Sequence, residues 1–220
     1  MTPKPPDNQY LVISYLRLRQ ALGYVAIALP FVLAIGAWTV ERIPWADSVS
    51  AYYYTSMRDV FVGTMFAIGV FLFCYRGYDR KDNVLTNGAG LAAAAIGLLP
   101  MEPKYSKVLI ERHSDLEGAN CYVPHGFLGY HFYAVAVFFA IISYLVLFRF
   151  TKTDQLFMTA TKRARNRVYV VCGVIMLASF GAIGLLKWWA PETSILVPET
   201  AAIVAFAVAW LTKGEAILPD

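Results

Sequence analysis

The chain has 220 residues, 58% of them apolar and only 15% charged, with a formal net charge of +4. Soluble domains carry roughly a quarter charged residues and about 45–50% apolar ones. A soluble enzyme, a disordered chain and a nucleic-acid binder are therefore disfavoured, and an integral membrane protein is expected.

Residues 1–20 open with Pro3, Pro5 and Pro6, which read as an extended cytoplasmic tail. Residues 10–19 are apolar and end in Arg17 and Arg19, a pattern that suits an interfacial helix at the inner surface. No cleavable signal is expected, because the apolar stretch that follows is longer than a signal core and lacks a small-residue cleavage site. A helical span needs about 20 mostly apolar residues. Six stretches meet or approach that length: 21–40 with Pro30 inside, 60–75, 84–101, 126–148, 168–186 and 195–211. These are continuous apolar runs, whereas a membrane β-barrel shows short alternating segments. The expected fold is all-α, one domain of six transmembrane helices, with a long outer loop at 102–124 and a basic cytoplasmic loop at 149–167.

Orientation follows from Lys and Arg, which collect on the cytoplasmic side of short loops. With the N-terminus inside, thirteen of them lie on the inner side and six on the outer. Both termini are then cytoplasmic, as in a multi-pass protein of a bacterial inner membrane. Lys162, Arg163, Arg165 and Arg167 look like a nucleic-acid patch, but they sit just before a span, where topology already requires them. No nucleic-acid partner is expected. The basic inner face suits a lipid surface.

His113, His125 and His131, the only histidines, fall on the outer side with most of the acids. Three cysteines without a C-x-x-C pair give neither a disulfide framework nor a thiol oxidoreductase motif. Gly90, Ala94 and Gly97, and likewise Gly173, Gly181 and Gly184, offer small-residue faces for close helix packing. Trp38, Trp45, Tyr52, Tyr53, Tyr54, Trp188 and Trp189 read as an aromatic belt at the outer interface.

The candidate site comes from depth. Ionisable side chains inside a bilayer are costly and usually face the bundle interior. His131 counts as about two helical turns past Pro124, while Asp59 opens the second span and Glu199 lies about one turn into the sixth. His131, Glu199 and Asp59 are expected to share an outward-opening cavity, with Glu102 and His125 on its rim. Two chemistries fit these residue types. His131, Glu199 and Asp59, with His125, could hold a divalent metal such as zinc, or His131 could act as a base oriented by a carboxylate. The bland reading is that the same groups pin the bundle by hydrogen bonds.

Several features recur together in one order. They are a polar outer segment holding Ser48, Ser50, Tyr52, Tyr53 and Tyr54, then a third span ending in Gly97, Leu98, Leu99 and Pro100. His131 with Ala134 in the fourth span and Glu199 opening the sixth complete the set. In these features the chain resembles the six-span bacterial membrane proteins of the Frag/DRAM group. The resemblance implies a six-helix membrane fold and no defined reaction. Paired haem-binding histidines, a retinal-bearing mid-helix lysine and the zinc-protease motif are absent, while a ceramidase-type hydrolase lacks its His-x-x-x-His pair here. Two function classes remain. One is a membrane enzyme acting on lipid or lipid-linked substrate from the outer leaflet. The other is a transporter, channel component or subunit for a membrane partner protein.

Overall fold

The computed structural model describes residues 8–43, 45–77, 79–101, 130–153, 159–191 and 193–219. All regular structure among them is helical. The α-helices are α1 (Asn8–Glu41), α2 (Arg58–Cys74), α3 (Arg80–Leu98), α4 (His131–Tyr144), α5 (Ala160–Trp189) and α6 (Leu196–Lys213). A 3₁₀ turn, Ser50–Tyr54, precedes α2, and a π-helical turn, Leu145–Arg149, prolongs α4. Four helical stretches are long and apolar enough to cross a membrane: Tyr15–Glu41, His131–Arg149, Ala160–Trp189 and Leu196–Lys213.

The other two helices fall short for different reasons. Helix α2 has 17 residues and rises only about 25 Å. Helix α3 spends its first turn on Arg80, Lys81, Asp82 and Asn83 and is otherwise rich in glycine and alanine. These two pack on each other through glycine. A Cβ on Gly69 would lie 2.9 Å from the Gly90 carbonyl oxygen, and one on Gly90 would lie 2.8 Å from the Gly69 oxygen. The backbones therefore touch, as small-residue faces permit. Gly97 faces Met65 and Gly173 faces Leu147, but a Cβ on Gly181 or Gly184 would meet nothing within 4 Å. Those two glycines of α5 make no close packing face, contrary to the expectation from their spacing.

Each helix packs against its neighbour in sequence, and α6 closes onto α1, so the six form a ring. Apolar side chains from all round the ring fill the middle, among them Leu33, Met65, Ile96, Phe138, Met176 and Phe206. Apolar residues facing outward are numerous, including Phe31, Ile35, Val70, Leu91, Val137, Val174 and Leu185. A large apolar exterior around a packed interior is what a helical bundle shows when lipid is its solvent.

Two boundaries differ from the pattern-based expectation. Residues 10–19 form no separate interfacial helix but run unbroken into the first span within α1. Residues 160–167 are not loop but the opening turns of α5, capped by Thr159, whose hydroxyl accepts the Lys162 N–H at 3.1 Å. Helical geometry tolerates Lys and Arg at either end of a span, so the helix continues through these basic residues. At its far end α1 stops with Arg42 at φ 57°, where the Ile43 N–H bonds to the Ala37 carbonyl and the Arg42 N–H to that of Trp38. This is the left-handed helix stop usually given to glycine.

Candidate functional site

The ring has two unlike ends. One gathers the C-terminus of α1, the start of α2, the end of α3, the start of α4 and the start of α6. Over this end folds the connection between α1 and α2. Ala46, Ser48, Val49, Ser50, Ala51, Tyr52, Tyr53 and Tyr54 are all buried in it. The three tyrosines thus belong to an inserted plug, not to an interfacial belt. Trp38, Trp45, Trp188 and Trp189 are well exposed. The difference lies in the 3₁₀ turn, which folds the tyrosines inward over the helix ends.

Hydrogen bonds fasten the plug to four helices or their ends. The Ile195 N–H donates to the Asp47 carbonyl at 2.7 Å, beside the start of α6. The Tyr54 hydroxyl donates to the Met101 carbonyl at 2.5 Å, just past α3. Arg58 of α2 donates to the Tyr53 hydroxyl at 2.7 Å and stacks over its ring. The Tyr52 hydroxyl accepts the Ala46 N–H at 3.3 Å. Burial pushes this phenol up from its ordinary range, offset in part by that N–H, and so keeps it neutral.

Glu199, in the first turn of α6, reaches the same segment. One of its oxygens accepts from the Ser48 hydroxyl at 2.8 Å and from the Val49 N–H at 2.5 Å. His131 reaches it from α4. Its Nε2 lies 3.0 Å from Ser50 Oγ, and its Nδ1 lies 2.5 Å from the Leu99 carbonyl oxygen. Leu99 caps the C-terminus of α3, where helical carbonyls lack an intrahelical partner. A carbonyl only accepts, so Nδ1 carries the proton, and Nε2 presents its lone pair to the Ser50 hydroxyl. Ser48 in turn accepts the Ser50 N–H at 3.1 Å. His131 is only 1% exposed, so this imidazole meets no bulk water.

His131 and Glu199 therefore converge on three consecutive residues, Ser48 to Ser50, rather than on each other. His131 is the first residue of α4, and residues 124–129, against which its depth is counted, lie outside the described residues. Asp59 stands apart: it is exposed in the first turn of α2, and among the described residues it makes no hydrogen bond or ion pair. Among the described residues no three His, Cys, Asp or Glu side chains gather as a metal-ligand set. His125 and Glu102 lie outside the described residues.

Beneath the plug, an apolar cavity of about 70 Å³ lies inside the ring. Leu29, Phe61, Ile96, Phe138, Ile183 and Phe206, one from each helix, line it, and Ser50 and Glu199 bring polar groups to it. Ser50 was the residue missed from sequence. The signal was present in the Ser48, Ser50 spacing within an otherwise apolar and aromatic stretch, but nothing local says that a serine will meet a histidine 81 positions away.

No protein family, curated protein or solved structure matches this chain. Any functional reading of the site rests on its own geometry.

The opposite end of the ring is charged. Arg149, at the end of the π-helical turn, bonds through Nε to Asp82 and through Nη2 to Asp79. Asp82 is 2% exposed and Arg149 7%. Asp79 caps α3, its side chain accepting the Asp82 N–H at 3.1 Å. That N–H, and then Arg149, hold the Asp79 carboxyl below the usual carboxylate range. Tyr75, Phe150, Tyr169 and Trp210 pack edge-to-face, with ring centroids 5.0 Å apart for Tyr75 and Trp210.

Proposed function

We propose that the chain is a six-span protein of a bacterial inner membrane with both termini in the cytoplasm. The ring closure supports this, because α2 and α3 occupy places in it equivalent to those of the longer helices. The bases gathered at one end support this orientation. A cysteine placed at Ser114 is then labelled by an external thiol reagent, and one at Thr159 is not. The relation to the Frag/DRAM group remains part of this reading and names no reaction.

At the outer end, the reading best supported is a membrane enzyme that cleaves or transfers an acyl group of a lipid or lipid-linked substrate. The observation that carries it is the Ser50 hydroxyl on the lone pair of His131 Nε2, with the Nδ1–H held by the Leu99 carbonyl. Nucleophile, base and orienting group stand in the order such chemistry requires. The Ser50 oxygen adds to the carbonyl carbon of the substrate while its proton passes to Nε2. The ester C–O bond breaks, and the leaving alcohol takes that proton. Water or a second alcohol then releases the acyl group from Ser50. Glu199 is a positioning residue, holding Ser48 and Val49, and Asp59 has no part in the step. The apolar cavity offers the chain of such a substrate a place among Phe61, Phe138 and Phe206.

A second reading has its own observation. Every hydrogen-bonding atom of the His131 ring is already used to fasten the plug, as in a purely structural lock. A long-chain alkyl fluorophosphonate separates the two. The enzyme reading expects covalent labelling at Ser50, lost in both Ser50→Ala and His131→Ala while the protein stays folded. Folded protein with no labelling at Ser50 leaves the lock, and with it the transporter or partner-subunit class.

A further inference from the structure

The charged end of the ring holds a second cavity, of about 740 Å³. Six bases line it, Arg19, Arg76, Lys152, Lys162, Arg165 and Lys213, and Glu215 is the acid among its lining residues. The bases come from α1, the turn after α2, the segment after α4, the start of α5 and the end of α6. They are brought together by tertiary structure, not by one basic run.

The positive-inside rule explains why bases lie near this end, but not why they converge. It asks only for Lys and Arg in the flanks of the spans. Arg163 and Arg167 meet that requirement from the exposed side of α5, whereas Arg165 between them is 8% exposed and turned inward. Arg165 donates through Nε to the Leu218 carbonyl at 2.8 Å and lies 3.5 Å from Glu215. Arg19 donates through Nη1 to the Lys213 carbonyl at 3.2 Å, and its Nε is buried with no hydrogen-bond partner. Lys162 donates to the Phe150 carbonyl at 2.9 Å, and the Lys213 ammonium lies 5.2 Å from the Phe150 ring centre. Like charges gathered around one cavity repel, and an anion bound in it relieves that repulsion.

The backbone points the same way. Thr159 and Thr161, at the N-terminus of α5, also line the cavity. A helix N-terminus carries partial positive charge and usually has acids in its first turn. The first turn of α5 has none, and Lys162 stands there instead.

We infer that this cavity binds a phosphate-bearing polyanion, a pyrophosphate or phosphomonoester group, between the ends of α1, α5 and α6. Arg19 and Arg165 supply guanidinium charge, each held in place by a bond to a backbone carbonyl, Lys152 and Lys213 supply point charges, and the threonine hydroxyls complete the shell. The group arrives either as the headgroup of an anionic phospholipid or as a soluble phosphate compound. The inference does not depend on the chemistry at Ser50.

The test uses the full chain in nanodiscs of zwitterionic lipid, with inorganic pyrophosphate as the soluble probe. Binding to the folded state alone raises the melting temperature. The shift is expected for the wild type and for the control Arg163→Gln/Arg167→Gln, and is lost in Lys152→Gln/Lys213→Gln. Affinity in the cavity variant falls by at least about tenfold. Should Lys213→Gln prevent folding, Arg76→Gln/Lys152→Gln at the rim takes its place. The lipid arm uses native mass spectrometry after exposure to phosphatidic acid. Retention by wild type and control, but not by the cavity variant, assigns the group to lipid even if pyrophosphate does not bind. Equal binding of both probes by cavity variant and control, or no binding of either, overturns the inference.

Discussion

The two ends of the ring bury polar side chains by opposite means. At the plugged end, Ser48, Ser50, His131 and Glu199 are satisfied by hydrogen bonds, with Glu199 the one carboxyl among them. At the other end, Arg149 is clamped between two carboxylates and six further bases surround a large opening. A network of side chains and backbone groups bonded to one another can be closed. At the ionic end the bases outnumber the acids among the described residues around the opening. The first arrangement suits a shielded reaction or a lock, and the second suits capture of an anion.

The sharpest way to break this contrast is to unpair the ionic end. Arg149→Met leaves Asp82 buried without its cation, and losing one partner of a buried pair costs about 3–5 kcal/mol. The melting temperature in detergent is expected to drop steeply and to recover in large part in Arg149→Met/Asp82→Asn. A single variant that melts like the wild type would show that the triad contributes nothing.

At the neutral end the same kind of truncation should cost less. His131→Ala strips the Leu99 carbonyl and the Ser50 hydroxyl of their partner, a loss of about 1–3 kcal/mol. If its destabilisation exceeds that of Arg149→Met, the plugged end is the stronger anchor and the ranking reverses. Between the two ends, Gly69→Ala forces α2 from α3 and is expected to cost about 1–3 kcal/mol as overpacking. Gly181→Ala meets no neighbour and should be neutral or slightly stabilising. Thermal melts of both alanine variants check the pair.

The smallest effect is in pH. Folding makes Asp79 the stronger acid, so its contribution is complete above the unfolded value of about 3.9 and is lost as pH falls through the lower folded value. Asp79→Asn should lower stability at neutral pH, where the contribution is complete, and change it little in strong acid, so that the acid side of the stability curve flattens. An acid limb of unchanged shape in Asp79→Asn would remove Asp79 from the ionic end.

Composition and run length by themselves determined the all-helical fold and the approximate places of the helices, four of which are long and apolar enough to cross a membrane. Lipid as solvent demands continuous apolar helices, and that demand is written locally along the chain. His131 and Glu199 were legible for the same reason, since a polar residue within apolar sequence must find a partner. Which partner was not legible. Ser50 meets His131, and Arg165 meets the bases of four other segments, only because the ring closes and juxtaposes residues far apart in the chain. The tyrosines show the limit most plainly: the same three aromatic residues suit an interface or a core, and only the 3₁₀ turn that folds them over the helix ends decided for the core.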